Sequence, residues 1–225
     1  MSASAAIAAC FARAIDAADG RSQPYRYWLL RDILPRPDCD ALAALPIESP
    51  KIADTLGRRE TNNATRVYCG QENQARFPVC AALATALQDG PAVDAIERAT
   101  GADLSGTSLR IEYCQDRDGF WLEPHTDIGA KRLTLLVYLS DDPGSEDWGT
   151  DLMDEWWFPA GRAPYARNRG LMFVPGATTY HGFRRRPIKG IRRSIIVNYV
   201  GPEWRARHEL AFPDRPLRAR GRAAA

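Results

Sequence analysis

Two histidines and an aspartate are the residues of this chain best suited to chemistry. His125 and Asp127 are separated by one residue, so on an extended segment both side chains point to the same side. His181 lies in a later segment and could bring a second imidazole to the same point. Two imidazoles and one carboxylate are the ligands that hold Fe(II) in mononuclear non-haem sites and leave other coordination positions open. The pattern therefore predicts an iron site with open positions for reactants.

A second candidate group is the pair Arg192 and Ser194. Residues 191–200 read as a strand, and alternation places these two side chains on one face together with Asn198. A guanidinium offers a planar fork to a carboxylate and a hydroxyl adds a further hydrogen bond, so the pair suits the far end of a dicarboxylic acid. A bulge would shift the register by one residue and put Arg193 in that place. Alternation favours Arg192.

The order of these residues resembles the Fe(II)/2-oxoglutarate-dependent oxygenases, which carry an H-x-D motif, a distal histidine and then R-x-S. The similarity covers residues 25–204, and the flanks look most like the prolyl-4-hydroxylase-like branch. It implies that His125, Asp127 and His181 bind Fe(II), and that 2-oxoglutarate and O2 are cosubstrates. The implied reaction hydroxylates a C–H bond and releases succinate and CO2. Because related halogenases lack the carboxylate ligand, Asp127 favours hydroxylation.

The resemblance also implies a site for the cosubstrate. Arg192 looks like the residue that pairs with the 5-carboxylate of 2-oxoglutarate, with Ser194 assisting. Tyr138 and Tyr113 are similar to positions that hydrogen-bond the same carboxylate, although a tyrosine on a barrel strand is as often a packed core residue. Many relatives carry two adjacent glycines after the long strand, whereas residues 148–150 read Trp-Gly-Thr. This departure puts the geometry of that loop in doubt.

Helical patterns precede the candidate site and β-prone runs surround it. Residues 37–45 predict a helix capped by Asp38, and residues 91–100 predict another that begins at a proline and ends before a glycine. Residues 133–139 and 170–174 predict strands. The fold class is therefore mainly β with supporting helices. By resemblance, its core is the double-stranded β-helix, the jelly roll of cupin-like proteins.

The length of 225 residues suits one domain. We expect a single oxygenase domain at residues 1–212, with helical support at about 1–105 and the jelly-roll core at about 106–204. Residues 213–225 contain four arginines among proline, glycine and alanine, which predicts a disordered basic tail.

The distribution of charge and the number of cysteines limit the possible substrates and the cellular compartment. The net charge is +2, but residues from 162 onward contain 15 Lys and Arg and only three acids. Arg184, Arg185 and Arg186 could attract an anionic substrate to the iron, or they could form a solvated loop. Five cysteines without C-x-x-C spacing predict reduced thiols in the cytoplasm. No apolar run is long enough to span a membrane, and the oligomeric state stays open.

The sequence leaves three candidate functions. The first is a hydroxylase of a small, anionic metabolite or natural-product precursor. The second is an oxygenase that acts on a macromolecule, either a prolyl or other protein side chain or a nucleic-acid N-methyl group; the acidic N-terminal part disfavours nucleic acid. The third is a non-enzymatic, metal-binding cupin-like sensor. Arg192 and Ser194 argue against the sensor, because it would not need a cosubstrate anchor.

Overall fold

The computed structural model describes residues 1–88 and 90–218, apart from the side chain of Asn62. The helices are α1 (Ala3–Asp16), α2 (Arg36–Ala43), α3 (Gln71–Arg76), α4 (Pro78–Gln88) and α5 (Pro91–Thr100). The strands are β1 (Asp19–Arg21), β2 (Tyr27–Arg31), β3 (Val67–Tyr68), β4 (Ser108–Asp116), β5 (Leu122–His125), β6 (Lys131–Tyr138), β7 (Asp151–Met153), β8 (Pro159–Arg162), β9 (Arg169–Phe173), β10 (His181–Phe183) and β11 (Arg192–Val200).

The strands form two antiparallel sheets. The larger sheet has the order β1-β2-β9-β6-β11-β4-β3, and the smaller has the order β5-β10-β7-β8. One hydrophobic core lies between the larger sheet and the helices, and a second is shared by the larger and smaller sheets. This arrangement agrees with the predicted mainly β architecture supported by helices.

The central strand β11 shows how the sequence separates the two cores. Ile195, Val197 and Tyr199 point into the helix-side core, whereas Arg192 and Ser194 point to the other side. Burying a large aliphatic side chain stabilises the fold by about 1.5–3 kcal/mol, and a register slip would exchange the two faces. The apolar face of β11 therefore fixes which polar side chains reach the space between the sheets.

The bounds of α5 agree with the prediction from the sequence, whereas the start of α2 differs from it. Helix α5 begins at Pro91 and ends at the left-handed Gly101, as predicted. Helix α2 begins at Arg36, and Pro35 rather than Asp38 occupies the N-cap position. Asp38 lies in the first turn instead. Pro37 explains the earlier start, because its fixed φ suits the first turn of a helix.

The beginning of the predicted tail is packed against the domain. Leu217 is buried, its N–H donates to the carbonyl of Thr107 at 2.7 Å, and its carbonyl accepts from the N–H of Gly106 at 2.9 Å. Residues 213–218 therefore do not follow the prediction of disorder, because an apolar side chain anchors them. Residues 219–225 lie outside the described residues. Among the helices of the described part, none has the length and apolarity needed to cross a bilayer.

Candidate active site

The two predicted histidine ligands face each other on neighbouring strands. His125 at the end of β5 pairs with His181 at the start of β10, and their ring centroids are 4.4 Å apart. The Nδ1 atom of His125 lies 2.8 Å from the carbonyl oxygen of Glu123, and that of His181 lies 3.0 Å from the carbonyl oxygen of Thr179. A backbone carbonyl at Nδ1 favours the proton there and leaves the Nε2 lone pair for a metal.

His181 is held in the neutral form that a metal ligand needs. Its side chain is buried and its ring lies 4.8 Å from the ring of Phe173. Burial, followed by the neighbouring His125, lowers the pKa of His181 to about 4. The imidazole is therefore uncharged near neutral pH.

Asp127 supplies an ionised carboxylate beside this pair. Burial acts to raise its pKa, but Lys131, His181 and the hydroxyl of Thr134 more than offset that effect and hold the pKa at about 2. Thr134 Oγ1 donates to Asp127 Oδ2 at 2.6 Å, and the Lys131 ammonium donates to Oδ1. The charge of Asp127 is thus balanced within the protein by a cation.

Lys131 occupies the carboxylate of the predicted Asp127 ligand. Across residues 1–88 and 90–218, no group of three or more His, Cys, Asp or Glu side chains forms a ready metal site. The two imidazoles are brought together, while the carboxylate of Asp127 is bonded to Lys131. The donor types fit a divalent metal, since two imidazoles and an ionised carboxylate line the same cavity. Binding would require the carboxylate to exchange its contact with the ammonium for the metal.

A cavity of about 380 Å³ contains both halves of the predicted site. His125, Asp127 and His181 line it together with Arg192. Part of the lining is supplied by the 3₁₀-helical segment Arg59–Thr65 and its flanks. Its volume is within the range of small-molecule sites.

Arg192 lies on the site face of β11, as alternation predicts. The pairing of β11 with β4 is regular across this region, so Arg193 points to the opposite face. The buried guanidinium of Arg192 donates from Nε to the carbonyl of Trp148 at 2.7 Å and from Nη1 to Asp116 at 2.6 Å. Its Cζ lies 4.7 Å from the ring centroid of Phe183. The guanidinium of Arg192 is therefore surrounded by aromatic rings and by the carboxylate of Asp116.

The other predicted cosubstrate residues divide between the two faces. Ser194 is fully buried, and its Oγ has no hydrogen-bond partner within the described chain. Tyr138 donates its hydroxyl to Thr150 Oγ1 at 2.9 Å, and Thr150 lines the cavity. The predicted cosubstrate contact of Tyr113 is corrected, because its ring lies in the helix-side core and not at the cavity. Strand alternation explains this, since the adjacent Glu112 takes the cavity face of β4.

A buried charge cluster beside the cavity was not predicted. Glu112 is 2% exposed and accepts from Arg66 at 3.0 and 2.7 Å and from Arg110 at 3.0 Å. Burial acts to raise the pKa of Glu112, but Arg59, Arg66 and Arg110 hold it well below its usual range. Arg59 also contacts Asp116 at 3.3 Å. Charged residues at alternate positions of an otherwise apolar strand were the available sequence indication.

Hydrogen bonds connect Asp127 to this cluster. Asn198 Nδ2 donates to Thr134 Oγ1 at 2.9 Å, and Thr134 in turn donates to Asp127. Asn198 Oδ1 accepts from Arg110 Nη1 at 3.0 Å. Arg110, Asn198 and Thr134 are all buried and hydrogen-bonded to one another in series. This series of hydrogen bonds fixes the orientation of Thr134 and hence of the Asp127 oxygen that it contacts. Sequence alternation already placed Asn198 on this face, but its partners were not identified.

The three consecutive arginines that follow β10 do not reach the cavity. Arg184, Arg185 and Arg186 line a separate groove with Trp148 and Arg162. Of the two alternatives left open for these arginines, a position beside the predicted metal ligands is therefore not observed. Strand β10 ends at Phe183, and the chain then turns away from the imidazole pair.

No protein-family model matches the chain, and no curated protein sequence matches it. Its fold is nevertheless similar to solved structures. A prolyl 4-hydroxylase from Phytophthora capsici has a TM-score of 0.58 at 13% identity, over 90% of this chain and 67% of that one. A prolyl-4-hydroxylase from Pseudomonas putida has a TM-score of 0.55 at 14% identity, over 85% and 93%.

A third similar structure was solved with ligands. HygX from Streptomyces hygroscopicus, with nickel and 2-oxoglutarate bound, has a TM-score of 0.50 at 17% identity over 80% of this chain and 84% of that one. The chain thus has the fold of the Fe(II)/2-oxoglutarate oxygenases. This confirms the predicted double-stranded β-helix with supporting helices.

Proposed function

We propose that the chain is an Fe(II)- and 2-oxoglutarate-dependent dioxygenase that hydroxylates a C–H bond. The observation that carries the proposal is the presence of the His125–His181 pair, Asp127 and Arg192 in one cavity. The two imidazole Nε2 atoms and the Asp127 carboxylate would hold the metal. Iron bound there would supply O2 activation coupled to conversion of 2-oxoglutarate to succinate and CO2.

The protein's own contribution is to bind and orient the cosubstrate. Arg192 presents a guanidinium whose position is fixed by the Trp148 carbonyl and Asp116. Since the group is buried among aromatic rings, water screens its charge weakly, and a cosubstrate carboxylate would share the guanidinium with Asp116. Ser194 lies on the same face of β11 as Arg192, and its Oγ is buried without a hydrogen-bond partner among the described residues. Its hydroxyl can therefore donate to the same carboxylate.

A small, anionic substrate fits the remaining space best. The cavity of about 380 Å³ must hold the cosubstrate as well, which limits the size of the second molecule. Arg58, Arg59 and Arg66 line the cavity beside the metal-site residues. Each of the three is paired with a carboxylate, but the lining as a whole has five cations and four acids, and this excess of positive charge favours a substrate with a negative group.

A macromolecular substrate is the second candidate. Trp156, Trp157 and Phe158 are 73%, 60% and 67% exposed in the connection between β7 and β8. Three exposed aromatic residues in succession are typical of a contact surface. A similar structure, a prolyl hydroxylase from Trichoplax adhaerens, was solved with a peptide fragment of hypoxia inducible factor. A metal-binding sensor without enzymatic activity is the third candidate.

We further infer one oxygenase domain that works in a reducing compartment. Residues at both ends of the described chain pack into the same structure, with Ile7 and Leu217 in one hydrophobic core. The five cysteines are free and buried, which agrees with a cytoplasmic location.

Succinate formation tests the proposed function. Anaerobically prepared protein is loaded with Fe(II), mixed with 2-oxoglutarate and air, and supplied with pools of small anionic metabolites. We expect succinate above a metal-free blank, and more of it with the pool that contains the substrate. Asp127→Ala and Arg192→Ala should lose this activity, whereas the surface variant Arg205→Ala should keep it. Absence of succinate under all of these conditions, with iron bound, would favour the sensor.

A further inference from the structure

A groove separate from the main cavity has positively charged side chains at half of its lining positions. It has a volume of about 640 Å³, and five of its lining side chains carry positive charge. These are Arg162, Arg184, Arg185, Arg186 and Lys189. Asp147 is the one acid in the lining formed by the described residues. No lining residue of this groove also lines the main cavity.

Two of the four guanidiniums are fixed in place by one shared carboxylate, that of Asp151. Arg162 Nε lies 3.1 Å from Asp151 Oδ1, and Arg162 Nη1 lies 2.8 Å from Asp147. Arg186 contacts the other oxygen of Asp151 and donates to the backbone carbonyl of Asp147 at 2.7 Å. Because Asp151 is buried, it orients both arginines from the protein side. Their remaining N–H groups are pre-organised for a further acceptor.

The other cations leave the groove with an excess of positive charge. Arg185 pairs with Asp54 at 2.6 Å. Arg184 and Lys189 are exposed, and within residues 1–88 and 90–218 neither side chain has a carboxylate partner. Burial, opposed by Asp151 but reinforced by the nearby Arg162, lowers the pKa of Arg186. The cations therefore crowd one another, and an anion between them would relieve that repulsion.

We propose that this groove binds a phosphate group carried by a small molecule. A carboxylate carries one negative charge on two oxygens, whereas a phosphate monoester carries nearly two charges on three acceptor oxygens and can bind two guanidinium forks and an ammonium together. The groove offers such a set: two oriented guanidiniums, and the free charges of Arg184 and Lys189 at its rim. The site does not depend on the proposed oxygenase activity, because its side chains are distinct from those of the main cavity.

Calorimetric titration of the full, metal-free chain with inorganic phosphate and with pyrophosphate tests this site. Ionic strength is kept constant with chloride, so that a general salt effect is the same in each titration. We expect saturable binding of both ions. The double variant Arg184→Ala/Lys189→Ala should bind at least about tenfold more weakly, since it loses two charge-assisted contacts while the buried Asp151 contacts remain.

Arg205→Ala is the matched control, because Arg205 is also an exposed arginine but lies outside the groove. It should bind phosphate like the unmodified chain, and circular dichroism should show that all variants are folded. Two results would overturn the proposal. One is the absence of saturable heat in the millimolar range, and the other is equal affinity of the double variant and the Arg205 control.

Discussion

Replacing Glu112 with glutamine should weaken the fold more than any exposed carboxylate change. The side chain is 2% exposed and balances Arg66 and Arg110, which contact it at 2.7 and 3.0 Å. Glutamine keeps the shape but removes the charge, which leaves the buried Arg110 and the part-buried Arg66 without their shared anion. Removing one partner of a buried ion pair costs about 3–5 kcal/mol. In a chain of this size, that corresponds to a decrease in Tm of about 6–20 °C.

Urea denaturation and thermal unfolding followed by circular dichroism measure this effect. Glu123→Gln is the matched control, because its carboxylate pairs with Arg58 at 3.2 Å while both side chains are largely exposed. Exposed pairs contribute less than about 1 kcal/mol, so the control should unfold almost like the unmodified chain. A Glu112→Gln variant as stable as the Glu123→Gln variant would refute the reasoning.

The dependence of stability on pH provides a second measurement on Glu112. Its pKa is held well below the ordinary value of 4.5 in the folded chain. Stability from its charge is therefore fully present above pH 4.5 and is lost as the pH falls toward the folded pKa. We expect the difference in unfolding free energy between the unmodified chain and Glu112→Gln to shrink below that pH. A difference that grew on acidification would contradict this assignment of charge.

The remaining predictions concern the cavity and the cysteines. Arg192→Ala should raise KM for 2-oxoglutarate at least about tenfold, whereas Arg193→Ala should leave it nearly unchanged; equal changes in succinate kinetics would mean that the register is wrong. Lys131→Met should tighten Ni²⁺ binding in a calorimetric titration, because the ammonium competes for the Asp127 carboxylate; weaker binding would show that the ammonium assists the metal. All five thiols are buried, so they should react with a thiol reagent only on unfolding, and rapid labelling of the native chain would contradict that burial.

Strand alternation accounts for what could be predicted of the site. Ile195, Val197 and Tyr199 form an apolar run on one face of β11, and this run placed Arg192, Ser194 and Asn198 on the cavity side before any pairing was known. The same reasoning could have moved Tyr113 to the helix side, since it neighbours Ile111 at period two in β4. The predicted role of Tyr113 followed from the resemblance and ignored that apolar face.

Contacts between distant strands were beyond the reach of the sequence. Asp116 meets Arg192 only because β4 pairs with β11, and nothing local in either strand reveals the pair. The loop after β6 shows the same limit. A side chain at Gly149 would place its Cβ 1.8 Å from the carbonyl oxygen of Ala163, so the close approach of the two backbones requires a glycine here.

The iron content of each chain tests the central claim most directly. Protein is loaded anaerobically with Fe(II), freed of excess metal by gel filtration and analysed by mass spectrometry. The unmodified chain and His208→Ala should each retain about one iron per chain, while His181→Ala and Asp127→Ala should retain almost none. A full equivalent of iron in either of those two variants, or none in the unmodified chain, would contradict the proposed metal site.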